Sequence, residues 1–274
     1  MAGNSAEGVR RPPHAESVVA YPGRMTNPLA GYRRVLFVHA HPDDETLSTG
    51  VVIVELADAG VHVALLTACR GEAGEVTPAV DPALVGTPAL IEQRERELDA
   101  AARVLGVAER CFLGTPPARA GEPRRYTDSG MRWVDAEETT AGPGDEAGPD
   151  ALSLADPADI AADIAAYARA VRAEAIVGYD ERGGYGHPDH VVLAGATRAA
   201  ASEVGVPFVE VISVSRADHG PRPEGYWVVR PDLNERIAGA LRCHASQVTV
   251  RGDRIQHVGG QTEPVPIAVG LRRG

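Results

Sequence analysis

The sequence predicts an α/β fold with a Rossmann-like, mostly parallel sheet and helices on both faces. Short apolar runs, partly β-branched, alternate along the chain with helical stretches of 10 to 17 residues. Polar loops follow several of these runs directly, as they do where parallel strands end. Because ligands of such sheets bind beyond the carboxyl ends of the strands, these loops are where a functional site is expected.

Residues 1–31 contain several Pro and Gly residues, and we expect them to form a flexible arm. The alternating strands and helices begin after this arm. Residues 32–274 are then predicted to form a single domain. The predicted elements of its first half are a strand at 35–38, a helix at 47–56 that ends near Gly60, a strand at 61–66, a helix at 89–105 and a strand at 111–113.

A long stretch without apolar periodicity, residues 115–157, separates the two halves and is rich in Gly, Pro and acidic residues. A stretch of this length predicts an active-site loop, and its part from Asp135 to Pro157 has the composition of an insertion. The alternation then resumes with a helix at 160–171, a strand at 175–179, a helix at 190–204 and a strand at 208–214.

Composition excludes several classes of function. The chain carries 27 basic and 38 acidic residues, so its net charge of −11 makes nucleic acid and anionic membranes unlikely partners on electrostatic grounds. All basic residues are Arg, which removes the lysine that a Walker phosphate loop or Schiff-base catalysis requires. Three scattered cysteines and the lack of an apolar run of membrane-spanning length predict a cytoplasmic protein.

The first polar cluster, HAHPDDE at residues 39–45, lies between the first predicted strand and the helix that follows it. Helix capping by Asp43 or Asp44 would explain one or two of its acids. Capping does not explain His41, nor Pro42, whose fixed φ stiffens the loop. We therefore interpret this segment as a functional site.

The second cluster, GGYGHPDH at residues 183–190, again follows a predicted strand and opens a helix, and it repeats the tripeptide His-Pro-Asp. Parallel strands can bring both loops to one edge of the sheet. Imidazoles and a carboxylate are the usual ligands of a catalytic zinc, which keeps three protein ligands and one open position. The best set takes a residue pair from the first loop and one histidine from the second.

The runs at 41–45 and 187–190 resemble the two signatures of the LmbE-like, or PIG-L, family of zinc-dependent de-N-acetylases. The resemblance extends from Arg33 to the C-terminal region and implies the fold of that family. Three shorter stretches, at 71–76, 128–131 and 240–248, resemble one actinobacterial branch of the family. Members of that branch deacetylate N-acetylglucosaminyl-inositol in mycothiol biosynthesis.

Carried over position by position, the resemblance implies one metal ion per chain, held by His41, Asp44 and His190. Zinc is the implied ion, and ferrous iron is compatible with the same ligands. Asp43 would be the general base that takes a proton from the attacking water.

The second loop would then supply the remaining catalytic groups. His187, as imidazolium, and the Tyr185 hydroxyl would stabilise the negative charge that develops on the acetyl oxygen, and His187 could protonate the departing amine. Asp189 would hold and polarise His187. His39 and His244 are expected to have supporting or structural roles.

The resemblance also implies a substrate, a small acetamido sugar, and residues that bind it. Glu75, Arg94 and Asp128 would be polar contacts, with Ser48 and Met131 lining the pocket. From the residues alone, Arg94 could instead form an ion pair along its helix, and Asp128 could be a turn residue. A homo-oligomer is compatible with the sequence.

Several alternatives remain open at this point. Within the family, a mycothiol S-conjugate amidase or a deacetylase of an antibiotic aminosugar would use the same metal residues. A metal-dependent phosphoesterase would need more bridging carboxylates and a basic clamp on phosphate. A nucleotide-binding Rossmann protein would need a glycine motif after the first strand, and this sequence has none there. A non-catalytic metal-binding protein is a further alternative.

Overall fold

The structure, a computed structural model, describes residues 26–135, 141–214 and 223–274. Its helices are α1 (Asp44–Asp58), α2 (Pro88–Leu105), α3 (Pro157–Ala170), α4 (Pro188–Val204) and α5 (Asn234–Cys243). Its strands are β1 (Arg34–His39), β2 (His62–Thr67), β3 (Glu109–Phe112), β4 (Arg132–Trp133), β5 (Ala141–Gly142), β6 (Ala175–Tyr179), β7 (Phe208–Val211), β8 (Tyr226–Val229), β9 (Val248–Arg251), β10 (Arg254–His257), β11 (Thr262–Pro264) and β12 (Ala268–Arg273).

Seven of these strands form the central sheet, in the order β3-β2-β1-β6-β7-β12-β8. The five from β3 to β7 pair in parallel, whereas β12 runs antiparallel to both β7 and β8. The predicted α/β fold with a mostly parallel sheet is thus confirmed. Because β1 and β6 are direct neighbours, the two His-Pro-Asp loops leave the sheet side by side at its carboxyl edge.

Alternate residues of β1 divide the core into two layers, as expected for a strand covered on both faces. Val35 and Phe37 belong to a cluster that includes apolar residues of α1, α2 and α5. Leu36 and Val38 belong to a second cluster with residues of α3 and α4. The helices therefore pack on both faces of the sheet, and they hold the carboxyl edge of β1 and β6 in a rigid frame.

The C-terminal third adds antiparallel elements that the sequence did not predict. Strands β8 and β12 extend the central sheet, and β9, β10 and β11 form a separate three-stranded antiparallel sheet beyond α5. The strand predicted at 208–214 ends at Val211, earlier than expected. No helix in the described ranges is long and apolar enough to span a membrane.

Two regions predicted to be loosely structured are partly ordered. Residues 1–25 and 136–140 lie outside the described residues, but Leu29, within the expected arm, is buried in the core. In the stretch 115–157, the Tyr126 hydroxyl and Arg119 donate hydrogen bonds to the fully buried carboxylate of Asp163, which belongs to α3. The described part of this loop is therefore held against α3.

Candidate metal centre and active site

Three predicted metal ligands meet at the carboxyl edge of β1 and β6. His41 Nδ1 lies 3.3 Å from Asp44 Oδ2 and 3.3 Å from His190 Nε2, and the Asp44 and His190 atoms are 3.1 Å apart. Ligand atoms that are each roughly 2.0–2.1 Å from a tetrahedral zinc lie about 3.3–3.4 Å from one another. The triangle therefore fits a tetrahedral ion of this size, with three protein ligands.

The charge of this triangle also suits a cation. Burial alone would raise the pKa of Asp44, but the imidazoles of His190 and His41 lower it well below its usual range. Its carboxylate is therefore ionised and available as a ligand. Two imidazoles and one carboxylate accept zinc or ferrous iron alike, so the donor set does not choose between these ions.

Tyr179, at the end of β6, fixes the ring of His190. The two rings stack with centroids 4.2 Å apart and an angle of 9° between their planes. The Tyr179 hydroxyl accepts a hydrogen bond from the Ala40 backbone amide at 3.1 Å, so one side chain ties both loops together. The sequence does not single out Tyr179 as a site residue, because it is the last residue of a predicted buried strand.

The far nitrogen of His41 faces two carboxylates. His41 Nε2 lies 3.2 Å from Asp189 Oδ2 and 3.5 Å from Asp128 Oδ1. A metal-binding histidine commonly donates its other N–H to a carboxylate, which fixes the ring and the tautomer. Together with His187, these side chains form a second group of ligand atoms within 4.8 Å of one another.

Ser129 links Asp189 to the loop that carries Asp128. Its backbone amide donates to Asp189 Oδ2 at 3.0 Å, and its hydroxyl donates to Asp189 Oδ1. The Ser153 hydroxyl and backbone amide also contact Ser129 Oγ, at 2.8 and 3.0 Å. Ser129 is a second residue that sequence analysis missed, because its partner lies 60 residues away in the chain.

Asp43 combines a strained backbone with a carboxylate that makes no capping hydrogen bond. Its φ of 121° is unusual for a residue other than glycine, and such conformations persist only where the surroundings impose them. Asp43 occupies the N-cap position of α1, yet its side chain makes no capping hydrogen bond. Capping therefore does not account for this aspartate.

The pKa of Asp43 suits acid–base chemistry near neutral pH. Burial raises it to about 6, against the lowering effect of the Arg94 guanidinium, and the Asp44 carboxylate contributes to the rise. A general base works best when its pKa lies near the working pH. Asp43 is thus ionised at pH 7 and still basic enough to accept a proton.

Arg94 reaches this site from α2 and is almost fully buried. Its Nη1 donates to the Gly71 carbonyl at 2.7 Å and its Nη2 to the Pro42 carbonyl at 2.8 Å, and Asp43 Oδ2 lies 3.8 Å away. A Cβ at Gly71, whose φ is 70°, would lie 2.0 Å from Nη1, so glycine leaves room for the guanidinium. Arg94 thus binds two loop carbonyls beside Asp43, and its contact with the sugar stays a prediction.

His187 is the N-cap residue of α4. Its Nδ1 accepts a hydrogen bond from the Asp189 backbone amide at 3.2 Å, whereas the Asp189 carboxylate lies 4.0 Å from that nitrogen. Asp189 therefore lies closer to His41 than to His187, and its expected action on His187 stays a prediction. Burial lowers the pKa of His187 to about 4, with help from the His41 and His190 imidazoles, so the expected imidazolium does not fit this environment.

Tyr185 lies at the mouth of the site, with 61% of its surface exposed. Its ring centroid is 5.9 Å from that of His187 and 5.2 Å from that of His190, edge to face in both cases. Gly184 and Gly186 flank it with φ of 70° and 90°, conformations that favour glycine. The loop thus presents the phenol beside the metal triangle.

The predicted substrate residues occupy mixed positions. Although burial works to raise it, the His41 imidazole lowers the pKa of Asp128 below its usual range, so this acid is ionised beside His41. Ser48 and Met131 are half-buried and Glu75 is exposed. Within the described ranges, no hydrogen bond or ion pair joins the side chains of Ser48 or Glu75 to the metal triangle.

The two histidines expected to have supporting roles are both fully buried. His39 Nε2 lies 2.8 Å from Thr49 Oγ1, and burial lowers the pKa of His39 to about 4. His244, at the end of α5, contacts Glu45 in the first turn of α1 at 2.8 Å. Both therefore contact the loop or helix that carries the metal ligands and Asp43.

Comparison with known proteins identifies a family and several relatives to which this chain is similar. A family model described as PIG-L, GlcNAc-PI de-N-acetylase, matches residues 36–201. Two relatives carry the name 1D-myo-inositol 2-acetamido-2-deoxy-alpha-D-glucopyranoside deacetylase. The one from Kineococcus radiotolerans is 47% identical and aligns over 80% of this chain and 70% of its own. The one from Thermobifida fusca is 33% identical, over 81% and 86% of the two chains.

A solved structure shares the fold at lower sequence identity. The N,N'-diacetylchitobiose deacetylase from Pyrococcus horikoshii, complexed with its inhibitor, superposes with a TM-score of 0.55 at 21% identity. The superposition covers 80% of this chain and 72% of that one.

Proposed function

The chain belongs to the PIG-L family of de-N-acetylases, and on that premise we propose that it hydrolyses the acetamido group of an N-acetylglucosamine-type sugar. The specific substrate we propose is 1D-myo-inositol 2-acetamido-2-deoxy-alpha-D-glucopyranoside, after the relatives that share up to 47% of the aligned residues. The products are acetate and the free amine of the sugar.

One observation carries the proposal: a metal-sized triangle of ligands lies beside an aspartate with an elevated pKa. His41, Asp44 and His190 are the residues that would hold the metal, and we propose zinc as the ion. When bound, zinc supplies a Lewis acid that polarises oxygen and acidifies water. Asp43 is the neighbouring carboxylate with no capping role and a pKa of about 6.

In the proposed mechanism, Asp43 takes the proton of the water that attacks the acetyl carbonyl carbon. The carboxylate accepts this proton while the carbon–oxygen bond forms, which avoids the release of a free hydroxide. The carbon–nitrogen bond then breaks, and the same proton passes from the Asp43 carboxyl group to the departing nitrogen. Arg94, 3.8 Å away, supports the ionised form of Asp43 at the start of the cycle.

His187 and Tyr185 act on the carbonyl oxygen as it becomes negative. Because His187 Nδ1 accepts the Asp189 amide, the neutral ring carries its proton on Nε2 and can donate it in a hydrogen bond. The Tyr185 hydroxyl is a second donor at the mouth of the site. Donors aimed at the developing oxyanion are among the largest contributions to such reactions.

Asp189 and Asp128 orient His41 from its far side, which leaves Nδ1 facing Asp44 and His190, the residues with which it would hold the metal. We propose that Glu75, Ser48 and Met131 contact the sugar or inositol, as the resemblance implies, with Asp128 close enough to contribute. These assignments rest on the family resemblance.

The decisive experiment measures amine release by zinc-loaded protein from N-acetylglucosaminyl-inositol, free N-acetylglucosamine and a mycothiol S-conjugate. Chelator-treated protein, an iron(II)-loaded sample and Asp43→Asn serve as controls. We expect release from the first substrate at the highest kcat/KM, and its loss in the chelated and Asp43→Asn samples. Preferential cleavage of the conjugate would instead assign the amidase reaction, and no release from any of the three would overturn the proposal.

A further inference from the structure

The segment that follows α5, residues 244–247, supports the active site from outside the range that the family model matches. It lies about 200 residues after the first His-Pro-Asp loop, as the 199-residue separation of Glu45 and His244 shows. Its Ser246 hydroxyl donates to Glu97 at 2.6 Å, which ties the segment to α2. The segment is thus joined to α2 through Ser246 and to α1 through the contact of His244 with Glu45.

The side chain of His244 makes one hydrogen bond within the described residues, and its partner is Glu45. The Nε2–Oε1 distance is 2.8 Å, and neither side chain has any exposed surface. His244 Nδ1 is buried without a partner among the described residues. A buried polar atom left unpaired is unfavourable, so this histidine is not explained by stability of packing.

Glu45 transmits this contact to Asp43. Its second oxygen, Oε2, accepts a hydrogen bond from the Asp43 backbone amide at 3.0 Å, while Oε1 contacts His244 and the Thr46 hydroxyl. Both oxygens of the carboxylate are therefore committed. The Asp43 amide is thereby held at the residue whose φ is 121°.

The location of the pair is informative because Asp43 and Arg172 are the two non-glycine residues with positive φ in the described ranges. A strained backbone relaxes unless neighbouring groups oppose it. Burying a histidine–glutamate pair removes both side chains from water, and apolar side chains of similar volume often give a folded protein of equal or greater stability. This burial is understandable if the pair fixes the orientation of Asp43.

We propose that Glu45 and His244 are positioning residues that hold the Asp43 backbone in the conformation that aims its carboxylate at the attacking water. The proposal deepens the proposed function and rests on it, since it assumes that Asp43 is the general base. His244 acts through Glu45, and Glu45 acts through the backbone amide of Asp43. Neither residue touches the substrate.

The test compares His244→Ala and His244→Gln with a matched control, His257→Gln. His257 also lies 2.8 Å from a glutamate, Glu263, but in the separate three-stranded sheet. For each zinc-loaded protein we would measure kcat and KM for N-acetylglucosaminyl-inositol, zinc content and the melting temperature. Misplacement of a catalytic group by about 1 Å can cost roughly a hundredfold in rate.

We expect His244→Ala to lower kcat by about tenfold to a hundredfold, with KM within about threefold and one zinc per chain. His244→Gln, whose amide N–H can donate to Glu45, should recover at least half of the loss on a logarithmic scale. His257→Gln should leave kcat unchanged. If His244→Ala does not fold, the position is tested through His244→Gln and His244→Asn, of which only the longer amide should retain kcat.

A double variant separates positioning from a general structural role. In an Asp43→Asn background, His244→Gln and His244→Ala should differ little in residual kcat, because the carboxylate that they position is gone. Equal losses in both backgrounds, or a wild-type kcat in His244→Ala, would overturn the positioning role alone. A wild-type protein without deacetylase activity would overturn the proposed function, and this role with it.

Discussion

The tripeptide His-Pro-Asp occurs twice at the same edge of the sheet, and the two copies differ in where the following helix begins. In the first copy, α1 begins at Asp44, so the aspartate of the tripeptide is the N-cap residue. In the second copy, α4 begins at Pro188, so the histidine is the N-cap residue and Asp189 lies in the first turn. Relative to the tripeptide, the helix therefore begins two residues later in the first copy than in the second.

This shift gives the two aspartates opposite surroundings. Asp43 keeps a φ of 121°, an uncapped carboxylate and 15% side-chain exposure. Asp189 is fully buried, accepts both hydrogen bonds of Ser129 and lies against His41. One carboxylate is available to take a proton, whereas the other is committed to orienting a metal ligand.

The two histidines differ for the same reason. His41 precedes its helix and directs Nδ1 at the metal triangle. His187 caps its helix, and its Nδ1 accepts the Asp189 amide, which leaves only Nε2 for chemistry. The comparison teaches that the backbone conformation of a motif, and not its residue types alone, determines which atom each side chain offers.

Substitution of Asp43, the aspartate of the first tripeptide, should have the largest effect on kcat. Asp43→Asn should lower kcat by about a hundredfold to ten-thousandfold, because an amide cannot accept the proton of the attacking water. Asparagine tolerates positive φ better than most residues, so the loop should keep its shape. Steady-state rates and zinc content measured together check this, with zinc expected at one per chain. Loss of zinc in parallel with activity would contradict the assigned role.

Substitution of His187, the histidine of the second tripeptide, should have the next largest effect on kcat. His187→Ala should lower kcat by about a hundredfold to a thousandfold, the usual cost of one oxyanion donor. His187→Gln retains an N–H donor and should recover a large part of that loss. Single-turnover rates of both variants check this. If glutamine proves as poor as alanine, His187 acts by transferring a proton, as the imidazolium hypothesis assumes.

The parallel half of the fold could be predicted because its signals are local. Among the parallel strands, β1, β2 and β6 are short apolar runs, and each is followed along the chain by a helix with clear ends. The antiparallel strands β8 to β12 are short and have mixed burial, so their pattern resembles that of loops. Their pairing depends on contacts with distant parts of the chain, which local periodicity does not contain.

The functional site likewise contains residues that local sequence motifs indicate and partners that only the folded structure reveals. The positions of the metal triangle and of Asp43 follow from motifs that lie directly after strands. The partners of these residues do not: Tyr179 meets Ala40 across 139 residues, and Ser129 meets Asp189 across 60. Nor could the sequence show that Arg94 turns inward onto loop carbonyls, since its helix offers glutamates as ordinary partners.

Asp189 should have a smaller effect, and on metal affinity more than on rate. Asp189→Asn replaces the acceptor for His41 Nε2 and should weaken zinc binding by about tenfold to a hundredfold, as changes behind a metal ligand do. Excess zinc should then restore most of kcat. Competition with a fluorescent chelator measures the affinity. Unchanged affinity with a collapsed kcat would instead connect Asp189 to His187.

The pH dependence should show the smallest change and would sharpen the contrast between the two aspartates. Burial raises the pKa of Asp43 to about 6, and the carboxylate accepts a proton only while ionised. We therefore expect kcat/KM to be half-maximal near pH 6, to reach a plateau about one pH unit higher, and to fall about tenfold for each pH unit well below 6. Zinc content measured at each pH excludes metal loss as the cause. The residual activity of Asp43→Asn should lack this acid limb, and a limb that persists in the variant would assign the essential base to another residue.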